Sequence, residues 1–481
     1  MEDNKLKGIK EVTDFTTDNP IYVKTKNQLN EVGCGMCLAK WTQVTMHLHL
    51  GHTHSCHHPA THKIPLAELK VNPTALHNTQ FKKEKRKEML EGKRPDECDY
   101  CWNVEDSSDR FSDRVLKSRS EWSYPHFKEI VKMDPQENYN PKYVEVAFSN
   151  ACNQKCSYCS PTISSAWMEE INAHGAYPTT SEFNSLKYVM DEDKMPIPHR
   201  DYNPYIEAFW KWWPDLYRDL HTFRITGGEP LLSKDTFKVL DYIIEEKNPN
   251  RKLNLAVNSN LTVPDELIDE FIDKVNYITT NNLVNSFVCF TSVDTWGEQA
   301  EYIRNGMNDF EKFWSNCNKV LSKCKKVNLT FMCTYNALSV PKFDELITGI
   351  YDLKCKYWSL DRYFGTAVVF DISYLRHPEH QTVKILPKNW AKNIKKQALH
   401  MNFLSKRGIG TDDYYKAFTD VEVDKMKRIY DWFVSEVSDE DLKRYRKDFH
   451  AFFSEYDKRR GTDFISVFPE FSEFYEDCKN V

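Results

Sequence analysis

From Tyr143 onward the chain alternates short β-rich runs with amphipathic helical ones, and this rhythm constrains the fold most. The runs "YVEVAF", "TFRIT", "KLNLAV", "FVCFTSV", "VNLTFMCTY" and "AVVFDI" have strand length and are rich in Val, Phe, Ile and Thr. Between strands, "KDTFKVLDYIIEEK", "PDELIDEFIDKV" and "DFEKFWSNCNKVLSK" carry apolar residues at helical spacing. Repetition of strand, helix and strand predicts an α/β fold with a parallel sheet or barrel, because crossover helices must cover a sheet face.

Each strand run ends in polar residues. The first leads to Ser149, Asn150 and three cysteines, and the second to Gly227, Gly228, Glu229 and Pro230. The third ends at Asn258, Ser259 and Asn260, the fourth at Ser292 and Asp294, and the fifth at Thr334 and Asn336. Strand ends are polar in most proteins, but α/β barrels also build their sites at the carboxyl ends of successive strands. A cysteine cluster among these ends favours a site.

Other segments flank this rhythm. Residues 1–30 are polar and expected to be peripheral. Residues 31–115 hold a first cysteine group and seven histidines between His47 and His62, with a helix over "FKKEKRKEMLEGKRPDEC" stopped at Gly92 and Pro95. Residues 160–215 read as an insertion into the 140–387 unit. It contains a helix at "SSAWMEEINAHG" and a Trp-rich packing helix at "IEAFWKWWPDLYRDL". From about 388 the chain reads as a helical extension. Leu442, Tyr445, Phe449, Phe452, Phe453 and Tyr456 mark one apolar face, and Ser438 with Asp441 forms a capping pair.

Composition narrows the function classes. The 481 residues are 40% hydrophobic and 14% aromatic, which predicts a folded protein, and the net charge of -6 provides no global basic field for nucleic acid. No apolar run approaches membrane-spanning length and no leader pattern opens the chain, so a cytoplasmic protein with reduced thiols is expected. Of its 14 cysteines, Cys289, Cys317, Cys324, Cys333, Cys355 and Cys478 stand singly and read as small core hydrophobes.

The three cysteines after the first strand lie in "CNQKCSYC": Cys152, Cys156 and Cys159. Thiolates at this spacing suit an iron–sulfur cluster, and three ligands on a four-iron cube leave one iron open to a small molecule. Tyr158 is positioned to offer its backbone to a flat aromatic ligand. A zinc ion completed by a distant ligand is the alternative.

C-x3-C-x2-C after a first strand, followed by "GGEP" after a second, resembles the radical S-adenosylmethionine (SAM) superfamily. The resemblance implies a partial (β/α)6 TIM-type barrel. It implies a 4Fe–4S cluster on Cys152, Cys156 and Cys159, with SAM chelating the open iron. Gly227, Gly228 and Glu229 would contact the methionine amino group, and Asn258 and Asn260 would line the pocket. Ser292 and Asp294 would contact the ribose, and Arg304 the carboxylate, for which its forked donors are suited. Ordinary surface ion pairs are the alternative for Glu229, Asp294 and Arg304.

The first cysteine group is similar to the frame of SPASM and twitch domains, which carry auxiliary iron–sulfur clusters. Cys37 is followed by thirteen residues, Gly51, four more and Cys56, and Cys98-x2-Cys101 comes later. Ser107 stands where the fuller frame needs another cysteine, so four ligands, Cys37, Cys56, Cys98 and Cys101, fit a twitch-like domain. Its place before the barrel is similar to a group of twitch-containing radical SAM proteins. The likeness extends over "CLAKWTQVTMHLHLGHTHSC", "EMLEGKRPDECDYC", "FSNACNQKCSYC", "GTAVVFDISYLRHPEHQTVKILP" and "DKRRGTDFISVFPEF". Zinc is again the alternative, with His47, His49, His52, His54, His57, His58 and His62 nearby, Cys34 as a spare thiol, and "HLHLGHTH" reading as a hairpin turning at Gly51.

The resemblance implies an enzyme that cleaves SAM to a 5′-deoxyadenosyl radical and takes a hydrogen atom from a substrate, a peptide or other natural-product scaffold. An auxiliary cluster would transfer electrons, and flavodoxin or ferredoxin would supply them. The competing functions are a zinc-stapled binding module and an RNA-modifying radical SAM enzyme. Asp371, Tyr374 and His377 mark the neighbourhood of the substrate.

Overall fold

The structure is a computed structural model and describes residues 19–182, 184–198, 200–359, 367–409 and 412–481. Of the segments singled out above, residues 1–18 and Gly365–Thr366 lie outside the described residues. The strands that build the main sheet are β1 (Gln43–His47), β2 (His52–His54), β3 (His62–Lys63) and β4 (Tyr143–Ala147). After β5 (Lys155–Cys156), which lies apart, come β6 (Thr222–Thr226), β7 (Asn254–Ser259) and β8 (Ser286–Ser292). After β9 (Arg304–Asn305), the partner of β5, β10 (Val327–Tyr335) and β11 (Val368–Tyr374) complete the set.

The main sheet runs β11-β10-β8-β7-β6-β4-β1-β2-β3. From β11 to β1 all neighbours are parallel, and β2 and β3 are antiparallel additions. The six strand runs read from sequence are thus one parallel array in chain order, consistent with a TIM-like barrel. The crossovers are the helices Pro204–Asp219, Lys234–Glu245, Asp265–Thr280, Phe310–Lys323 and Phe343–Lys356. The Trp-rich helix is therefore the first crossover: Trp213 and Phe209 pack on Phe223 of β6, with ring centroids 4.8 and 6.2 Å apart.

The two faces of this sheet differ in chemistry. Val144, Val146, Phe223, Ile225, Leu255, Val257, Phe287, Cys289, Leu329, Phe331, Val368 and Phe370 are all buried and form the helix-covered core. The alternate positions, including Tyr143, Arg224, Asn258, Phe290, Ser292, Met332 and Asp371, are half-buried and largely polar. A period of two places these sets on opposite faces. The second set lies on the face opposite the crossover helices, called the inner face below.

The N-terminal segment joins this sheet. Gln43–His47 pairs in register with Tyr143–Ala147, a contact across about a hundred residues. The hairpin turns through Gly51 at φ 69°, and a Cβ there would lie 2.2 Å from the Tyr205 ring. Of the stretch expected to be peripheral, Pro20–Val32 instead forms a helix with Leu29 buried, because Asn30 and Gln28 are tied to Arg114 and Tyr124.

The C-terminal helices close the far edge. Glu422, in the helix Asp420–Val434, accepts hydrogen bonds from the Phe370 amide of β11 (2.7 Å) and from buried Lys354 (2.9 Å). A carboxylate and an amine bonded along the edge strand's backbone hinder its pairing with a further strand. The helix Asp439–Arg460 buries Phe449, Phe452, Phe453 and Tyr456 and is capped by Ser438, which accepts from the Asp441 amide. Leu442 and Tyr445 are half-buried at its start. Cys289, Cys317, Cys324, Cys333 and Cys478 are buried and Cys355 half-buried. Among the described residues no helix is long and apolar enough to cross a membrane.

Candidate functional site

The three-cysteine loop leaves the end of β4 and is held from three sides. Below it, the turn after β6 packs backbone to backbone: the Gly228 amide donates to Ser149 O (3.1 Å) and the Glu229 amide to Ala151 O (2.7 Å). A Cβ on Gly228 would lie 2.5 Å from Ala151 O, and one on Gly227 2.7 Å from Ser149 O. These glycines are therefore required by the contact between the two loops themselves. Beside it, β5 pairs antiparallel with β9, and the Trp167 indole N–H donates to Cys156 O at 2.9 Å. From the far end, Ser157 and Gln381 exchange two hydrogen bonds of 2.7 and 3.0 Å.

Glu229, expected at the methionine amino group, is fully engaged by the protein. Its carboxylate accepts from the Leu231 amide (2.9 Å), the Ser259 hydroxyl (2.8 Å) and the Asn260 amide (2.6 Å). Burial pushes its pKa up to about 7, opposed by those donors. It ties the turn after β6 to the end of β7. Asn260 is similarly committed, its amide donating to Asn153 (2.8 Å) while its carbonyl accepts from Thr262.

Asp294 and Arg304 form a buried ion pair rather than a surface one, with side chains 0% and 8% exposed and Nε 2.9 Å from Oδ2. The Tyr158 hydroxyl sits between them, donating to Asp294 (2.8 Å) and accepting from Arg304 (2.6 Å). Asp294 also accepts from the Thr334 amide at 2.9 Å. Arg304 Nη1 points at Cys156 Sγ from 3.6 Å. One linked group therefore joins the cysteine loop, the ends of β8 and β10, and β9. The C-terminal helix supports it, since Tyr456 donates to Tyr302 O (2.7 Å) two residues before Arg304. Burial pushes the Cys152 thiol up to about 12, and raises Cys156 and Cys159 despite the Arg304 charge.

Ser292 ends β8 on the inner face, one row from Asn258. Asn258 accepts from Arg224 Nε at 2.9 Å. Asp371 pairs with Lys425 (2.5 Å), Tyr374 stacks on Trp432, and His377 is exposed and pairs with Glu379.

In the N-terminal segment, Cys37, Cys56, Cys98 and Cys101 line a single cavity with Lys40, His58, Trp102, Asp113 and Arg114. Cys34 is exposed, its thiol donating to Gly92 O, and is not among the lining residues. Burial pushes the thiols of Cys98 and Cys101 up to about 12, with the neighbouring cysteines adding to it. Two buried ion pairs flank the cavity, Lys40 with Glu97 and Arg114 with Glu105. Close by, Lys82 and Arg86 are 1% and 0% exposed, and among the described residues neither has a carboxylate within ion-pair distance. Sequence reading missed these cations, which sit in a lysine- and arginine-rich helix that looks solvent-facing.

The histidines do not gather at this cavity. Only His58 lines it. His47 and His54 face each other with Nε2 atoms 3.2 Å apart, and His57 lies 3.4 Å from Glu145. His49 bonds to Ala147 O and Thr162 O, His52 to Asp193 O, and His62 to Thr79. Among the described residues no three His, Cys, Asp or Glu side chains are arranged to hold a single metal ion.

Residues 146–347 match the model of the Radical SAM superfamily. No curated protein matches the chain. The stretch from β4 into the helix Phe343–Lys356 is therefore a radical SAM superfamily domain, and it supports a radical SAM enzyme in general. The family implies a 4Fe–4S cluster and SAM.

Proposed function

We propose that the chain cleaves SAM reductively at a 4Fe–4S cluster on Cys152, Cys156 and Cys159, and that an auxiliary iron–sulfur cluster on Cys37, Cys56, Cys98 and Cys101 transfers electrons. The observation that carries this reading is the three-thiol loop seated on the glycine turn after β6, inside the radical SAM domain. When bound, the first cluster would supply the electron that splits SAM into methionine and a 5′-deoxyadenosyl radical able to take a hydrogen atom from a substrate.

The residues divide the work. The backbone of Gly227 and Gly228 receives the methionine amino group, with Glu229 holding that turn in place. The backbone of Tyr158 serves the adenine, Ser292 the ribose, and Asn258 and Asn260 the pocket wall. Arg304 presents its guanidinium to the carboxylate end beside Cys156, and Asp294 fixes its orientation. A flavodoxin or ferredoxin delivers the electron, and the inner face of a partial barrel receives the substrate.

The auxiliary site fits a cluster. The four thiols of Cys37, Cys56, Cys98 and Cys101 border one cavity, a donor set that an iron–sulfur cluster takes. Lys82 is held well below its usual pKa by burial, Arg86 and Lys40, whereas Glu97 and Cys56 pull it upward. An anionic tetrathiolate centre at that place would further offset these buried cations. The domain at 31–115, the barrel unit at 140–387 and the helical extension from 388 follow from this reading, with the insertion expected at 160–215 ending before the crossover helix Pro204–Asp219.

Iron, zinc and acid-labile sulfide are to be measured after anaerobic purification. Iron with sulfide at both sites is expected. Zinc without sulfide at both overturns the proposal.

A further inference from the structure

We infer that Arg224 is the receptor for an oxyanion, a carboxylate or phosphate group, of the substrate; this rests on the radical SAM reading above. Arg224 lies on β6 at the centre of the inner face, directly opposite Glu145 of β4 in the sheet register. The two do not form an ion pair. Glu145 turns instead to the Tyr143 hydroxyl (2.7 Å) and to His57 (3.4 Å).

The Arg224 side chain reaches Asn258 of β7, Phe290 of β8 and Met332 of β10, while its charge also acts on Tyr143 and Glu145 of β4. Its Nε donates to the neutral Asn258 carbonyl at 2.9 Å, and its Nη2 contacts the Met332 thioether at 3.4 Å, a weak acceptor. The guanidinium carbon sits over the Phe290 ring, 4.1 Å from its centroid. Among the described residues no carboxylate stands within ion-pair distance of it. A half-buried guanidinium oriented by an amide and an aromatic face, with its outer donors facing a neutral thioether, is built to receive a planar or tetrahedral oxyanion.

The surroundings agree. Asn258 belongs to the wall expected to face SAM, so a group bound to Arg224 would hold its neighbouring C–H bonds at that wall. On the other side the inner face continues through Glu145 to His57, His54 and His47. Burial lowers the pKa of His47 to about 4, which leaves its ring neutral at physiological pH.

The test uses anaerobically reconstituted, dithionite-reduced full-length protein, with inorganic phosphate and acetate as probes. Line broadening in 31P and 13C spectra by the paramagnetic protein reads binding. Wild type and the remote control Arg428→Gln should give saturable broadening with at least one anion. Arg224→Gln should bind at least tenfold more weakly, and Arg224→Lys should lie between. If Arg224→Gln does not fold, Arg224→Lys decides. Phosphate alone identifies a phosphate ester, and acetate alone a carboxylate. No saturable broadening in wild type, or equal broadening in Arg224→Gln, overturns the inference. The same preparation is given SAM. If it forms 5′-deoxyadenosine but binds neither anion, the inference falls and the enzyme reading stands. If no 5′-deoxyadenosine forms with the cluster intact, the enzyme reading falls and takes the inference with it.

Discussion

Gly228→Ala isolates the contact that seats the cysteine loop. Gly228 is not at positive φ, so alanine is permitted by its backbone, and the penalty is purely one of space. The new Cβ would stand 2.5 Å from Ala151 O and 2.6 Å from Asn150 O, whereas such contacts essentially never fall below 3.0 Å. The Asn150–Ala151 backbone must therefore retreat by about 0.5 Å or more. Overpacking of this kind costs about 1–3 kcal/mol, and weakening the two inter-loop hydrogen bonds adds about 1 kcal/mol each. Melting should fall by a few degrees only. The functional effect should be larger, because the displaced residues run directly into Cys152. Iron should drop from about eight per chain to about four, as the auxiliary site stays loaded. Gly175→Ala is the control: it meets only φ strain, at +77°, with open space around the new Cβ. It should lose about 1 kcal/mol and no iron. A Gly228→Ala protein with full iron, unchanged melting and normal SAM cleavage would refute the view that this packing positions the thiols.

Three further outcomes follow. Cys98→Ser should halve the iron while leaving the spectroscopic signature of the three-cysteine cluster, read by electron paramagnetic resonance. Glu229→Gln should cost about 1–3 kcal/mol, since its amide nitrogen must face backbone N–H donors. Because the folded pKa of Glu229 is raised from 4.5 to about 7, its neutral form favours folding below 4.5 and that contribution is lost as pH rises through about 7; melting scans of the variant should lack this component. Lys82→Met should raise the melting temperature of cluster-free protein, by removing a buried amine without a carboxylate, yet loosen the auxiliary cluster, measured as faster iron loss to a chelator.

Much of the architecture was legible because the strand runs and their crossover helices carry local periodicity. β10 coincides with "VNLTFMCTY", and the helix Asp439–Arg460 starts at its expected cap. The pairing of β1 with β4 was not legible. "TQVTMHLHL" signals a hairpin, and nothing local records a parallel partner a hundred residues away. Likewise the cysteines, the two glycines and the polar strand ends announced a site, but not how its side chains divide. Glu229 and Asp294 look like ligand contacts in one dimension. Folding brings Ser259, Asn260 and Leu231 to the first, and Arg304, Tyr158 and Thr334 to the second. Arg224 was passed over because a lone arginine in "TFRIT" reads as an ordinary outward strand residue until the sheet's two faces are known.

The central claim is that Cys152, Cys156 and Cys159 hold a cluster that opens SAM. Reduced, reconstituted protein should convert SAM to methionine and 5′-deoxyadenosine in equal amounts, measured by liquid chromatography with mass detection, and Cys156→Ala should form neither while keeping the auxiliary iron. An intact, reduced wild-type cluster that leaves SAM untouched, or a Cys156→Ala protein that cleaves it as well as wild type, would contradict the account.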